Sequence, residues 1–159
     1  MSETTGWTEQ DVPDQAGKVV IVTGGNSGIG YETVRILAQR GAHVILAARN
    51  TIKGNEAVNE ILSDNPSANV ETQPLDLADL SSIREFAISF KERGMPLHTL
   101  INNAGIMGVP KGTTVDGFEL QFGVNHLGHF ALTGLLIEDL VAQSGGRVVN
   151  VASNAHRQG

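Results

Sequence analysis

The sequence predicts an α/β fold in which a parallel sheet is covered by helices on both faces. Apolar runs rich in β-branched residues alternate along the chain with segments whose apolar residues recur at helical spacing. These runs are apolar on both faces, as expected for strands buried between two helical layers. A chain of 159 residues has the size of one domain. We place this domain at 18–159, behind a polar arm at 1–17.

The first elements follow one another in a regular order. KVVIVTG, which begins at Lys18, is the first strand, and the helical segment behind it ends at Gly41. HVILAAR is the second strand, and its helix stops before Pro66 because proline cannot continue a helix. NVETQPLD is the third strand, and the helix behind it has capping-box spacing at Ser82 and Glu85.

The second half of the chain continues this alternation. LHTLINNAG is the fourth strand with its turn. Residues 117–146 form one long helical stretch that is apolar on several faces, and we therefore expect it to be largely buried. RVVNVAS, at 147–153, is the fifth strand. Right-handed crossovers then place helices on both sides of one sheet.

Composition limits the partners of the chain. The formal net charge of −6 argues against a sequence-independent grip on nucleic acid or anionic lipid. The absence of cysteine excludes a disulfide framework and a thiolate zinc site, and it suits the cytoplasm. No apolar run approaches the ~20 residues that span a bilayer. We therefore expect a soluble cytoplasmic protein whose partner is a small molecule or another protein.

The junction VTGGNSGIG joins the first strand to the first helix and is typical of a phosphate-binding loop. A helix N-terminus offers unpaired N–H groups and the positive end of the helix dipole. Gly24, Gly28 and Gly30 would allow the tight turn, the close approach to a ligand and close helix packing, and Asn26 and Ser27 could add hydrogen bonds. The spacing G-x-x-x-G-x-G differs from the common dinucleotide fingerprint. A glycine-rich turn without a ligand is the alternative.

The end of the second strand favours NADP over NAD. In dinucleotide-binding folds an acidic residue at this place binds the ribose 2′-hydroxyl, whereas a nearby arginine accommodates a 2′-phosphate. The chain has Arg49, Asn50 and Lys53 there and no carboxylate. We therefore interpret these three residues as cofactor-binding and predict NADP. The alternative is that Arg49 and Lys53 are solvated charges at a helix start.

Five motifs in order resemble those of the short-chain dehydrogenase/reductase family. The resemblance runs from Lys18 to the last residue and is closest to its retinol dehydrogenase-like and bacterial oxidoreductase branch, which usually prefers NADP. It implies a doubly wound, Rossmann-like sheet of five strands in the order 3-2-1-4-5, truncated before the family's last strands. The motifs are TGGNSGIG, LDL at 75–77, NNAG at 102–105, VNHLGHF at 124–130 and RVVNVAS at 147–153.

The resemblance also implies which residues bind the cofactor. The whole glycine loop, including Ile29, would contact it, and Asp76 and Leu77 would flank its adenine. The residues implied to lie beneath the cofactor are Asn103, Ala104 and Gly105.

Two residues resemble catalytic positions of the family. Asn125 matches the asparagine that kinks its helix and holds a proton-relay water, and Ser153 matches the serine that orients the substrate carbonyl. The serine that precedes it in the family is Ala152 here. From the residues alone, a satisfied core amide and an end-of-strand hydroxyl remain the alternatives. His126 and His129 could share a metal ion, but no third ligand is evident, and we predict no metal site.

The proton donor of the family is a tyrosine in a Tyr-x-x-x-Lys motif. The only tyrosine here, Tyr31, precedes Arg35 in the phosphate-binding helix, and the sequence stops at Gly159. We therefore expect the N-terminal portion of an NADP-dependent oxidoreductase that transfers hydride between nicotinamide and a carbonyl or alcohol substrate. This portion would be inactive alone, and the full-length form would be a homo-oligomer. The alternative is a non-catalytic dinucleotide-binding or regulatory module.

Overall fold

Five parallel strands form the centre of the molecule. The computed structural model describes residues 6–154. The strands are β1 (Val19–Thr23), β2 (His43–Ala48), β3 (Asn69–Pro74), β4 (Thr99–Asn102) and β5 (Arg147–Asn150). They lie side by side in the order β3-β2-β1-β4-β5, and every neighbouring pair is parallel. The predicted strand order is therefore confirmed.

Helices connect the strands and cover both faces of the sheet. The helices are α1 (Gly28–Gln39), α2 (Thr51–Asp64), α3 (Leu80–Glu92), α4 (Leu120–Phe122) and α5 (His129–Val141). A π-helical turn at Gly123–Gly128 joins α4 to α5. One core cluster contains buried residues of α3 and α5, and the other contains buried residues of α1 and α2.

The central strand β1 shows why both faces must be apolar. Val19 and Ile21 belong to the cluster under α3 and α5, whereas Val20 and Val22 belong to the cluster under α1 and α2. Successive side chains of a strand point to opposite faces, so a strand covered on both sides needs an apolar residue at each position. The run VVIV meets this requirement, and all of β1 is buried.

The long helical stretch predicted at 117–146 is broken in the structure. A π-helical turn interrupts it, and glycine stands at both ends of this turn, where the packing is close. A Cβ on Gly128 would lie 2.5 Å from the carbonyl oxygen of Leu77, and one on Gly123 would overlap the Thr114 methyl group. The two glycines therefore allow the ends of the turn to lie against Thr114 and Leu77.

Only one side of α5 is buried, which differs from the prediction. Leu132 and Leu136 are fully enclosed beside α3, whereas Phe130 and Val141 are each 73% exposed. The strand β5 is also exposed along its whole length. No helix in the part of the chain that the structure describes is both long and apolar enough to cross a bilayer.

The start of α3 also differs from the prediction. The helix begins at Leu80, and its N-cap is Asp79, whose carboxylate accepts the N–H groups of Ser81 and Ser82. Ser82 lies inside the first turn, and its hydroxyl instead accepts the N–H of Asp76. The capping box predicted from Ser82 and Glu85 is therefore wrong by one helical turn.

The described part of the arm contacts α1 far from the glycine loop. The Glu9 carboxylate pairs with Arg35 at 2.7 Å. Arg40, directly after α1, donates to the carbonyl oxygens of Glu9 and Gln10 at 2.8 Å each. The arm thus packs at the C-terminal end of α1 and leaves the N-terminal end of that helix accessible.

Candidate functional site

The loops that follow the strands meet at one edge of the sheet, because parallel strands all point in the same direction. Gly24, directly after β1, donates its N–H to the carbonyl oxygen of Ala47 on β2 at 2.8 Å. A cleft of about 1180 Å³ lies beside this edge, over β4 and β5. The predicted site residues that line the cleft are Ile29, Asn103, Ala104, Gly105, Asn125 and Ser153.

The glycine loop needs glycine at particular positions. Gly24 and Gly28 have φ values of +65° and +55°, which L side chains rarely adopt. A Cβ on Gly30 would overlap the carbonyl oxygen of Gly24 and the side-chain amide of Asn103. Gly30 therefore lets the first turn of α1 pack directly on the loop. The close helix packing predicted for this loop is therefore present.

The N-terminus of α1 is capped differently from those of α2, α3 and α4. The N-cap side chains of α2, α3 and α4 are Asn50, Asp79 and Glu119, and each accepts N–H groups of its own helix. The side chain of Ser27, the N-cap of α1, makes no such bond. Ser27, Gly28 and Ile29 are all exposed. The first turn of α1 therefore presents amide groups and the positive end of the helix dipole to a ligand.

Thr23 at the end of β1 organises the loop after β4. Its hydroxyl oxygen accepts the N–H groups of Asn103 at 2.9 Å and Ala104 at 3.0 Å. The side-chain amide of Asn103 donates in return to the carbonyl oxygens of Thr23 at 2.9 Å and Gly24 at 3.3 Å. The Asn103 side chain thus joins the loop after β4 to the start of the glycine loop. The sequence analysis missed Thr23, although its position as the last residue of a buried strand was a signal.

Asn125 lies on the π-helical turn and is exposed to the cleft. Its Oδ1 accepts the N–H of Ile106 at 2.8 Å, and its Nδ2 donates to the carbonyl oxygen of Ile106 at 2.8 Å. The resemblance implied a kink at this asparagine, and the π-helical turn is a departure from the regular α-helix at that place. The alternative of a buried core amide is wrong, because the residue is exposed.

His129 is buried one turn after Asn125. Its Nε2 lies 2.8 Å from the Thr23 hydroxyl, and its Nδ1 lies 3.0 Å from the carbonyl oxygen of Asn125. Burial lowers the pKa of His129 below its ordinary value, and His126 nearby lowers it further, although the bond to Asn125 acts against both. His126 stacks between Phe122 and Phe130. Within residues 6–154 no group of three potential metal ligands comes together.

A second polar group lines the cleft between β4, β5 and α5. The side-chain amide of Asn102 donates to Asn150 Oδ1 at 2.8 Å and to the Thr133 hydroxyl at 3.1 Å. Its own Oδ1 is buried and has no hydrogen-bond partner among the described residues. Asn102 and Asn150 are paired in the strand register. Sequence reasoning missed both, because asparagine inside a predicted buried strand gave no indication of its partner.

The predicted cationic residues lie where α2 begins. Arg49 and Lys53 are both exposed. Among residues 6–154 neither side chain forms an ion pair. Lys53 lines a second cleft of about 500 Å³ together with Asn26, Ser27 and Gly28. Asn50 caps α2 by accepting the N–H of Lys53, so its Oδ1 is engaged by the helix.

The remaining predicted residues have different surroundings. Asp76, after β3, accepts the N–H of Ala78 at 2.9 Å and lines neither cleft. Leu77 is buried in the core. Ser153 lies after β5 on the wall of the larger cleft, which it shares with Asn125. The structure thus brings the two predicted catalytic residues to one cleft, and the second cleft lies against the start of α1.

Comparisons with known proteins agree with this arrangement. The short chain dehydrogenase family matches residues 18–159. Retinol dehydrogenase 12 of Mus musculus is 54% identical over 140 residues, which cover 88% of this chain and 44% of that protein.

Two solved structures show the same fold. An uncharacterised protein from Mycobacterium paratuberculosis has a TM-score of 0.81 and 50% identity, covering 96% of this chain and 52% of that one. The Pseudomonas aeruginosa RhlG/NADP complex has a TM-score of 0.75 and 27% identity, covering 88% of this chain and 56% of that one. The chain spans about half the length of these proteins or less. On the family match and the identity over most of its length, this chain belongs to the short-chain dehydrogenase family.

Proposed function

We propose that this chain forms the cofactor-binding part of an NADP-dependent oxidoreductase that transfers hydride between nicotinamide and a carbonyl or alcohol substrate. The observation that carries the proposal is the start of α1, where the Ser27 side chain does not cap its own helix and glycine lets the chain approach a ligand closely. The two clefts beside this helix start supply room for a ligand larger than a phosphate.

The residues present fit a nicotinamide dinucleotide. The glycine loop from Gly24 to Gly30 would hold the diphosphate, since amide groups at a helix start bind anions without a cationic side chain. The loop at 103–105 borders the larger cleft and would support the nicotinamide half. When bound, the cofactor supplies or accepts the hydride at its nicotinamide ring. The chain's own residues bind and orient it. Asp76 and Leu77 would border the adenine half.

NADP is favoured over NAD by the charges at the start of α2. Arg49 and Lys53 are exposed and without an ion-pair partner in the described range, and the second cleft joins Lys53 to the glycine loop. Two cations at this place suit the additional 2′-phosphate of NADP. The similarity to RhlG in its NADP complex supports the same choice.

The substrate would bind in the larger cleft, where Asn125 and Ser153 lie. A serine hydroxyl can donate a hydrogen bond to a carbonyl oxygen and so polarise it. Ile29, Met107 and Phe130 give the same cleft an apolar wall. An apolar carbonyl compound fits this lining, and the similarity to a retinol dehydrogenase supports that substrate class.

The 159 residues hold no tyrosine placed to donate a proton in the larger cleft. Tyr31 lines the second cleft instead. Burial and a hydrogen bond to Glu60 raise its pKa, so its proton is held more tightly than usual. A general acid contributes about 10² to 10⁴ in rate. We therefore expect cofactor binding by this chain alone without useful turnover.

Titration with NADPH and NADH tests the cofactor proposal. We expect NADPH to bind more tightly, and Arg49→Ala to remove most of that preference. One charge-assisted contact is worth about 1.5 to 3 kcal/mol, so the NADPH affinity should fall about ten- to a hundredfold while the NADH affinity stays unchanged. Arg84→Ala, which removes an exposed arginine from α3, is the matched control. Equal affinities for both cofactors, unchanged by Arg49→Ala, would refute NADP selectivity.

A turnover assay tests the rest of the proposal. NADPH oxidation is followed with a panel of ketones, aldehydes and retinoid-like carbonyls, for this chain and for one extended through the coding sequence that follows Gly159. We expect activity only in the extended chain. Equal turnover by both chains would show that the proton donor lies within these 159 residues. The candidate His156 lies outside the described residues, and His156→Ala would test it.

Assembly and location follow as further proposals. The exposed apolar side of α5, with Phe130 and Val141, supports a homo-oligomer in the full-length protein. The absence of cysteine agrees with a reducing compartment, and we place the protein in the cytoplasm.

A further inference from the structure

His129 connects three parts of the candidate site that are distant in sequence. It is a buried polar residue of α5, at 6% exposure. Its Nε2 lies 2.8 Å from the hydroxyl of Thr23 at the end of β1. Its Nδ1 lies 3.0 Å from the main-chain carbonyl oxygen of Asn125 on the π-helical turn. Neither contact belongs to the ordinary hydrogen-bonding pattern of a helix or a sheet.

The two contacts determine where the ring carries its proton. A carbonyl oxygen can only accept, so the Nδ1 of His129 must donate to Asn125 and must carry the hydrogen. In a neutral imidazole the Nε2 is then an acceptor, and the Thr23 hydroxyl must donate to it. Burial lowers the pKa of His129, which agrees with a neutral ring.

The hydroxyl of Thr23 is fully used in this arrangement. Its oxygen accepts the N–H groups of Asn103 and Ala104, and its single proton goes to His129. A second proton on the imidazole would put a third donor on the same oxygen and turn the hydroxyl toward the carbonyl oxygen of Ile101, at 3.4 Å. The donor and the acceptor of each hydrogen bond in this network are therefore fixed. Only the Nδ1–H tautomer of His129 gives each of these groups a partner.

We propose that His129, as a neutral imidazole protonated at Nδ1, is the positioning residue that holds the Asn125 turn and the 103–106 loop in one arrangement beneath the cofactor. On one side it fixes Thr23, which holds the backbone of Asn103 and Ala104. On the other side it fixes the carbonyl of Asn125, whose side chain holds Ile106. The inference rests on the proposed function only where it concerns cofactor affinity.

Nitrogen NMR tests the tautomer without any cofactor. In ¹⁵N-labelled protein at pH 7, we expect the Nδ1 of His129 to be protonated and its Nε2 to have the chemical shift of an unprotonated ring nitrogen. The exposed His126, which stacks between Phe122 and Phe130, serves as the internal comparison. An Nε2–H tautomer or a doubly protonated ring at His129 would overturn the proposal.

A pair of substitutions at Thr23 tests the positioning role. Thr23→Val keeps the shape but removes the hydroxyl, whereas Thr23→Ser keeps the hydroxyl. Thr23→Val removes all three hydrogen bonds of this hydroxyl. We therefore expect it to weaken NADPH binding by about tenfold or more and to speed amide exchange at Ile106. Thr23→Ser should have an NADPH affinity and an Ile106 exchange rate close to those of the wild type.

Two further variants separate positioning from folding. His129→Asn keeps an N–H donor near the position of Nδ1, and we expect it to slow Ile106 exchange relative to His129→Leu. His43→Asn is the control, because His43 starts β2 at the end of the strand away from the glycine loop, and it should change neither the NADPH affinity nor the Ile106 exchange rate. If the wild type bound no dinucleotide, the proposed function would fail, yet the tautomer and the Ile106 exchange would still decide this inference. Unchanged Ile106 exchange in both Thr23→Val and His129→Leu would refute it.

Discussion

The side chain of Asn125 satisfies both hydrogen-bonding groups of the Ile106 backbone, with two bonds of 2.8 Å each. These two hydrogen bonds join the π-helical turn to the loop that follows β4, although the two residues are 19 positions apart. A residue that the resemblance marks as catalytic therefore also fixes the loop on which the cofactor would rest. The two roles can be separated by Asn125→Asp, because aspartate keeps the oxygen that accepts the Ile106 N–H and loses the amide group that donates to the Ile106 carbonyl oxygen.

Asn125→Asp should loosen this loop. The carboxylate can still accept the Ile106 N–H, but its second oxygen would face the Ile106 carbonyl oxygen, and two acceptors repel each other. A net hydrogen bond is worth about 1 kcal/mol, so we expect roughly a fivefold loss of NADPH affinity together with faster amide exchange at Ile106. Calorimetric titration and hydrogen exchange measure the two effects.

Gln121→Glu is the control for the added charge. Gln121 lines the same cleft, and its Oε1 accepts the N–H of Gly108 at 3.2 Å, a bond that glutamate keeps. If Gln121→Glu weakened NADPH binding as much as Asn125→Asp did, the cause would be the charge, and the positioning role of the amide would be disproved.

Gly30→Ala should disrupt the start of α1. Its Cβ would overlap the Gly24 carbonyl oxygen, which is backbone and cannot turn away, so the loop must shift. Overpacking of this kind costs about 1 to 3 kcal/mol. We expect a lower melting temperature and a strong loss of dinucleotide binding. Thermal unfolding followed by circular dichroism, with and without NADPH, measures both.

The matched control is Gly134→Ala on α5. A Cβ there meets nothing within 4 Å, and alanine favours a helix over glycine by up to about 1 kcal/mol. This variant should be as stable as the wild type or more stable, with unchanged NADPH affinity. If the Gly30→Ala protein had the same melting temperature and the same NADPH affinity as Gly134→Ala, the close packing of α1 on the glycine loop would not be needed.

The sequence alone predicted the sheet and the glycine loop because both have local signals. The buried strand β1 is a run of five β-branched residues that ends at Thr23, and the need for glycine at 24 and 30 follows from a backbone that must pass close to itself. The strand order came from the family resemblance and is confirmed. The strands and the glycine loop could be predicted because their signals lie in residues that are neighbours in the chain.

The rest depended on contacts between distant residues. Gly128, at the end of the π-helical turn, packs against Leu77 from the loop after β3, and the network of His129 depends on its contact with Thr23, 106 positions away. A hydrophobic pattern can show that a helix has apolar residues on several sides, but not which side lies on the sheet. The prediction for α5 was therefore right for Leu136 and wrong for Phe130.

The charged cluster around Glu71 predicts a pH dependence of stability. Its carboxylate contacts His43 at 2.6 Å and Arg93. Burial alone would raise the pKa of Glu71, but the hydrogen bonds from Arg93 and His43 outweigh it, so the pKa lies below 4.5. A carboxyl group with a lowered pKa stabilises the fold at higher pH, and this stabilisation is lost as the pH falls through the folded-state pKa.

Glu71→Gln should therefore lower the melting temperature at pH 7, and the difference from the wild type should shrink as the pH falls below about 4.5. Because the Glu71 side chain is 39% exposed, solvent screens the cluster, and we expect a shift of only a few degrees. The control is Glu92→Gln, an exposed carboxylate of α3 that forms no ion pair in residues 6–154. A Glu71→Gln difference that stayed constant down to pH 3 would contradict this assignment.

The exposed side of α5 and the edge strand β5 predict self-association of this chain. In the described sheet β5 pairs only with β4, so its outer edge offers unpaired backbone groups. Val141 and Phe130 add exposed apolar surface on α5. Leu132, Leu136 and Leu140 of the same helix are buried and do not contribute to this surface.

Val141→Lys should weaken the association without unfolding the chain, because the position is exposed and a cation near the end of a helix is favourable. Sedimentation velocity over a range of concentrations measures the change. Asn59→Lys adds the same charge to an exposed position of α2, on the opposite face, and should leave association unchanged. Leu136→Ala should instead destabilise the fold by about 2 to 5 kcal/mol, since it empties a fully buried position.

A wild-type chain that stayed monomeric at every concentration would refute the prediction of self-association. Equal weakening by Val141→Lys and Asn59→Lys would show that net charge, rather than the apolar side of α5, controls the association.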